Sequence, residues 1–321
     1  MLNKVIGNTP MVKIDYEYLG KKNSVYVKLE MFNLTGSIKD RVAYYMINEA
    51  KKCGRLKEGM EIVEATSGNT GISLAALGSY YGYPVHIFMP DWASIERRKL
   101  MEGYGAKVSL ISREDGGFSK CLEEARKMAL KDGAFYPDQF SNENNILAHY
   151  ETTGAEILKQ VFEEIGGFVS GVGTGGTLLG TSKRLKENFK EMITCAIEPK
   201  NMPLISGGKI IGPHKIEGIG DDFIPKLVDK NLIDKVILID DEDAIQMARR
   251  VSKELGIGVG ISSGANLIGS ILLGSEINKP VATVFADDNK KYLSTDLTKE
   301  DNLDGSLIAN KVKLIKATFI K

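Results

Sequence analysis

The 321 residues carry 42 basic and 42 acidic side chains, 43% apolar residues and 34 glycines. A chain of that length buries a sizeable core, as two lobes or one large domain, and its cancelled charge offers no field for nucleic acid or an anionic membrane. The first fifteen residues lack a signal-peptide pattern, and no apolar run reaches the roughly 18 residues of a membrane span. Cys53, Cys121 and Cys195 are scattered without a CxxC pair, which points to a reducing, cytoplasmic setting. His86, His149 and His214 are equally dispersed, so no metal site is expected.

In chain order, Val25, Val27 and Leu29 alternate with Tyr26 and Lys28 as an early strand ending at Glu30. Ile38, Val42, Tyr45 and Met46 share one face of a helix that stops at Gly54, with Ser37 as its expected N-cap. Apolar runs at Glu61–Glu64, Val85–Met89 and Lys107–Ile111 alternate with helical stretches. The second half repeats the rhythm: strands at Phe168–Val172, Ile193–Ile197, Lys235–Ile239 and Val281–Phe285, helices at Leu178–Phe189 and Glu242–Leu255. Such alternation predicts an α/β fold with mostly parallel sheets covered by helices on both faces. The glycine- and proline-rich segment Lys200–Pro225 is expected to be irregular, as functional loops often are.

Three segments carry chemistry. Lys39 lies in the first turn of its helix, within Gly36-Ser37-Ile38-Lys39-Asp40-Arg41, where the helix dipole disfavours a cation by about 0.3–1 kcal/mol and so favours the free amine. Thr66-Ser67-Gly68-Asn69-Thr70-Gly71 and Gly173-Thr174-Gly175-Gly176-Thr177 each follow a predicted strand and precede a helix. Turns of that kind present several N–H groups and hydroxyls to a carboxylate or phosphate. Neither is a Walker loop, and neither has the full GxGxxG with a downstream acid of a dinucleotide site. A lysine served by two anion-binding turns suits a phosphorylated aldehyde cofactor held as a Schiff base, which is pyridoxal phosphate chemistry.

From Ile6-Gly7-Asn8-Thr9-Pro10 to Tyr292-Leu293-Ser294-Thr295 the chain closely resembles the cysteine synthase and cystathionine β-synthase family of fold-type II pyridoxal phosphate enzymes. Thr66–Gly71, Asp138-Gln139-Phe140, Gly171–Thr177, Glu198-Pro199, His214–Pro225 and Ile261-Ser262-Ser263-Gly264 carry that resemblance in the family's order. It implies a tryptophan synthase β-like pair of lobes in a homodimer. Residues 1–144 would hold a smaller mobile substrate lobe, about 35–144, with the first 34 or so residues packed on the larger lobe. Residues 145–321 would form the larger, phosphate-binding lobe. Lys39 would form the internal aldimine, Gly173, Thr174, Gly175, Gly176 and Thr177 would hold the phosphate, and Asn69 would meet the phenolic oxygen. Thr66, Ser67, Thr70 and Gln139 would grip the substrate carboxylate, and Ser263 would face the pyridine nitrogen. A serine there makes the ring a weaker electron sink than a carboxylate would, so β-elimination and β-replacement through an aminoacrylate is the implied chemistry.

The chain departs from the family in three places. Cysteine synthases usually read Gly-Ile-Gly-Ala-Gly-Phe-Ile-Pro where this sequence has Gly218-Ile219-Gly220-Asp221-Asp222-Phe223-Ile224-Pro225. Cystathionine β-synthases have Tyr-Asp there, so Asp222 matches that branch and Asp221 matches neither. A carboxyl in this loop suits protonating a leaving group or deprotonating a water nucleophile, and adjacent like charges raise one of the two pKa values. Asp221 and Asp222 are therefore the candidate acid–base residues, and the favoured reaction is L-cysteine plus water to L-serine and hydrogen sulfide. The alternatives are O-acetylserine sulfhydrylase activity, thiol condensation to cystathionine or lanthionine, and a non-catalytic binding relative. Asp91-Trp92-Ala93-Ser94 replaces Glu-Thr-Met-Ser, which implies a differently shaped lobe around the substrate. Asp288-Asn289-Lys290-Lys291-Tyr292 replaces Ser-Gly-Glu-Arg-Tyr and is expected to be a solvated turn.

Overall fold

Two parallel-rich sheets organise the chain in a computed structural model that describes residues 2–320. The strands are β1 (Met11–Tyr18), β2 (Lys21–Leu29), β3 (Ile62–Ala65), β4 (Val85–Pro90), β5 (Lys107–Ile111), β6 (Gly167–Gly171), β7 (Ile193–Pro199), β8 (Lys235–Ile239), β9 (Val281–Phe285) and β10 (Val312–Ile320). Helices α1 (Lys39–Lys52), α2 (Asn69–Tyr81), α3 (Ile95–Gly103), α4 (Gly117–Asp132), α5 (Asn144–Ala148), α6 (Ala155–Gln160), α7 (Gly176–Lys186), α8 (Asp241–Leu255) and α9 (Ile261–Ile277) connect them. None is long and apolar enough to cross a membrane among the described residues.

One sheet has seven strands in the order β10-β1-β2-β9-β6-β7-β8, and the other has three in the order β3-β4-β5. All pairings in the smaller sheet are parallel, as are those from β2 through β8 in the larger one. Only β1, paired with β2 and β10, is antiparallel. Strand periodicity explains how the larger sheet is covered on both faces. Val25, Val27 and Leu29 of β2 enter the core packed by α8 and α9, while Tyr26 joins Phe168 and Leu178 in the opposite core. The smaller sheet likewise packs Ile62 with residues of α1, α2 and α3, and Val63 with Cys121 and Ala125 of α4.

Most predicted elements recur with ends within three residues, and Lys107–Ile111, Lys235–Ile239 and Val281–Phe285 recur unchanged. The predicted strand Glu61–Glu64 is β3, Ile62–Ala65, and the predicted helix Leu178–Phe189 is α7, Gly176–Lys186. The N-cap of α1 is Ile38, not Ser37. Ser37 bridges through its backbone to Asp287 and Ile38 N–H bonds Ala286 O at 2.9 Å, so tertiary pairing delays the helix start. Ser37 Oγ still accepts the Lys39 N–H, at 3.3 Å.

A buried ion network fastens that first turn. Arg41 and Glu30 are almost wholly buried and pair at 2.7 Å, while Arg41 reaches Glu156 at 2.6 Å and Lys28 reaches Glu156 at 2.8 Å. Lys28, Glu30, Arg41 and Glu156 thereby join β2, the turn after it, α1 and α6. A fork of guanidinium donors between two carboxylates is the geometry in which buried charge is best compensated.

Candidate active site

Three loops converge because each leaves the carboxyl end of a parallel strand. Thr66–Thr70 follows β3, Gly173–Thr177 follows β6, and Ala286–Tyr292 follows β9. In open α/β sheets this is where ligands bind. Lys39, at the start of α1, lines the cavity among them with Asn69, Gln139, Thr174 and Asp221.

The Thr66–Thr70 turn is held from below. Thr70 Oγ1 donates to Gln139 Oε1 at 2.6 Å, and Gln139 Nε2 donates to Ala65 O at 3.0 Å. Glu64, fully buried, accepts the N–H groups of Ala65 at 2.9 Å and Gln139 at 3.2 Å. Burial raises its carboxyl to about 8 even though those N–H groups pull it down. Asn145 joins this turn to the other one, donating to Gln139 O and to Thr174 Oγ1, both at 2.9 Å. Thr66, Thr70 and Gln139 are buried in the wall, and Ser67 lies at the mouth shared with an outer cleft.

The Gly173–Thr177 turn is a cradle without room for side chains. A Cβ at Gly173 would lie 2.5 Å from Gly218 O, and one at Gly176 would lie 2.0 Å from Asn145 Oδ1. The first N–H groups of α7 have no partner within the helix and carry the positive end of its dipole. Bare backbone, a helix start and the hydroxyls of Thr174 and Thr177 together fit a phosphate. Lys39 fits the aldehyde end. Burial lowers its pKa, while Asp221 and Asp287 oppose that shift, so a larger share is free amine than in water. The chain's residues thus suit pyridoxal phosphate at both ends. Ser263 is fully buried and does not line the cavity; its Oγ accepts the Ala286 N–H at 3.1 Å, which leaves its own hydrogen to donate.

Asn69 is clamped from both sides. Its Nδ2 donates to Asp287 Oδ2 at 2.7 Å, and its Oδ1 accepts from Lys291 Nζ at 3.0 Å. Lys291 also donates to Gly36 O at 3.0 Å and is only 3% exposed. The expected solvated turn is therefore corrected: Lys290 is exposed, but Lys291 is buried because Gly36 and Asn69, distant in sequence, supply its acceptors.

The aspartate loop separates its two carboxylates. Gly218 and Gly220 adopt φ of +91° and +71°, and Ile219 between them enters the core. Asp221 then lines the inner cavity, half-buried. Burial, followed by the charge of Asp222, raises its carboxyl to about 7 against the pull of Lys39. Asp222 is exposed and lines only the outer cleft. Across the shared mouth, Arg97 of α3 pairs with Glu217 and sits 4.6 Å from the Tyr292 ring. Trp92 lines the outer cleft with Arg113 stacked on it at 4.2 Å. Glu64, Asn145, Arg97 and Asp287 were not singled out from sequence; the signal available was the position of Asp287 just past the end of a predicted strand.

Comparison with known proteins matches this geometry. The family described as "Pyridoxal-phosphate dependent enzyme" matches residues 2–287. A cysteine synthase of Staphylococcus aureus is 42% identical over 305 residues, 94% of this chain and 97% of that protein. The crystal structure of a hydrogen sulfide-producing enzyme (Fn1055) from Fusobacterium nucleatum is 45% identical, with a TM-score of 0.94 over 100% of this chain and 98% of that one. An aspartate-to-asparagine mutant of that enzyme, complexed with an α-aminoacrylate intermediate, is 46% identical with a TM-score of 0.94, over 98% and 96% of the two chains.

Proposed function

Because the chain belongs to the family of pyridoxal-phosphate-dependent enzymes, as a relative of the cysteine synthases, we propose that it converts L-cysteine and water to L-serine and hydrogen sulfide. Elimination and replacement at the β-carbon of an amino acid is the family's chemistry, which sets aside a purely ligand-binding role. Asp221 carries the finer choice of reaction. It shares the cavity with Lys39, and a carboxyl raised to about 7 there is poised to take and return a proton near neutrality.

Pyridoxal phosphate, when bound, supplies the electron sink that lets an amino acid lose its α-proton and its β-substituent. Lys39 Nζ, half-buried and inclined by desolvation to the free amine, is the base for the α-proton. The turn N–H groups and hydroxyls of Thr66–Thr70, backed by Gln139, bind the substrate carboxylate. Asn69, held by Asp287 and Lys291, would offer the second hydrogen of its Nδ2 to the cofactor's phenolic oxygen. When the carbon–sulfur bond breaks, hydrosulfide leaves; Asp221 then accepts a proton from the water that forms the new carbon–oxygen bond and gives it up to the departing hydrosulfide, while Lys39 returns the α-proton to complete serine. The Fn1055 enzyme, named for producing hydrogen sulfide, supports this reading by its close fit to the whole chain.

The test is product analysis of cofactor-loaded protein with L-cysteine in water. Sulfide with an equal amount of serine is expected, and Asp221→Asn should lower serine formation by about a hundredfold or more. Sulfide with pyruvate would mean elimination alone. Little sulfide, alongside rapid cysteine synthesis from O-acetylserine and sulfide, would make this a biosynthetic cysteine synthase and defeat the proposal.

A further inference from the structure

Beneath the Gly173–Thr177 turn lies a fully buried histidine that does not reach the cavity. His149 opens a wide π-helical turn, His149–Gly154, between α5 and α6. Its Nδ1 is 3.0 Å from Thr153 Oγ1 and its Nε2 is 3.2 Å from Thr177 Oγ1. Neither hydroxyl has another hydrogen-bond partner among the described residues. Burial, with the charges of Lys39 and Arg41, holds the ring's pKa well below the usual histidine range. A neutral imidazole has one donor and one acceptor, so one threonine must donate to the ring and the other must accept from it.

The two arrangements are unequal. If Thr177 donated to Nε2, Nδ1–H would donate to Thr153, and the Thr153 hydrogen would be stranded in a fully buried site. In the reverse arrangement, Thr153 donates to Nδ1 and Nε2–H donates to Thr177 Oγ1. The hydrogen then left over belongs to Thr177, which lines the cavity at the turn. No buried donor is stranded, provided an acceptor occupies the cavity.

We infer that His149 is a positioning residue: as the Nε2–H tautomer it orients the Thr177 hydroxyl as a hydrogen-bond donor to an anionic phosphate group in the cavity. This rests on taking Gly173–Thr177 as the phosphate-binding turn. His149 touches neither cofactor nor substrate and acts only through Thr177.

The test begins with nitrogen-15 NMR of histidine-labelled holoenzyme. The chain has three histidines, and loss of signals in His149→Gln assigns the pair that matters. A protonated Nε2 and an unprotonated Nδ1 are expected; an Nδ1–H tautomer or an imidazolium would overturn the inference. Pyridoxal phosphate dissociation is then compared for wild type, Thr177→Val, His149→Phe and the double variant. Each single change should raise Kd about five- to tenfold, the weight of one hydrogen bond, and the double should be no worse than Thr177→Val alone. Additive losses would mean that the ring acts independently of Thr177. If Thr177→Val holds the cofactor as tightly as wild type, the phosphate-turn reading falls, and this inference with it. If Thr177→Val weakens binding but His149→Phe does not, only this inference falls. Should His149→Phe fail to fold, Thr153→Val removes the donor to Nδ1; an unchanged tautomer and an unchanged Kd would then count against the proposal.

Discussion

Asp221 and Asp222 are neighbours in sequence with different surroundings. One faces a cavity, the other faces solvent, and the difference comes from two left-handed glycines that turn the chain just before them. Asp221 has a folded-state pKa of about 7, above its ordinary 3.8. Its ionisation therefore weakens folding progressively as pH rises from 3.8 through 7, while any step needing the carboxylate strengthens over the upper part of that range. Serine formation should show an ascending limb with a midpoint near pH 7, absent in Asp221→Asn. The same variant should melt at a higher temperature than wild type above pH 7. A limb that survives the substitution would assign it to another group. Sequence marked the aspartate pair because both residues stand where cysteine synthases have small ones, but it had no means to choose between them. Lys291 was misjudged for a related reason: a lysine next to another lysine reads as solvated until distant acceptors are placed around it.

At the scale of elements, α1 must present Lys39 from a fixed first turn. The network of Arg41 with Glu30 and Glu156 provides that fixity two residues further along. Burial pushes the Glu30 carboxyl up, but Arg41 and Lys28 together outweigh it and hold the group at about 2. Its contribution to stability is complete above the ordinary 4.5 and is lost as pH falls towards 2. Arg41→Met leaves two carboxylates buried without their fork and should destabilise the protein by about 3–5 kcal/mol at neutral pH. Urea denaturation should show the gap from wild type narrowing below pH 4.5, as the stranded carboxylates protonate. A gap independent of pH would mean that lost packing, and not lost pairing, sets the cost. Element types were legible because hydrophobic periodicity is local. The ends were less so, as at Ile38, where pairing with Ala286 and Asp287 sets the start of the helix. The edge strand β10 escaped notice because Val312–Ile320 mixes lysines with apolar residues and is half exposed.

For the whole molecule, cofactor and fold should be coupled. The inner cavity draws its walls from both sheets, so a ligand bound by Lys39 and the Gly173–Thr177 turn stabilises segments far apart in the chain. Removing pyridoxal phosphate should lower the melting temperature, and restoring it at a thousandfold excess over Kd should return about 4 kcal/mol. The Lys39→Ala protein should regain less at the same concentration. Equal melting with and without cofactor would show that the loops are held without it. Sequence by itself determined the α/β alternation and marked Lys39 and the two glycine-rich turns, because periodicity and turn composition are written in neighbouring residues; the aspartates stood out only against the family resemblance. Tertiary structure alone decided that Asp221 joins Lys39, that Lys291 and Asp287 clamp Asn69, and that His149 sits between Thr153 and Thr177. Those relations depend on burial and on partners up to 222 residues apart, and desolvation acts only once the chain has closed around a group.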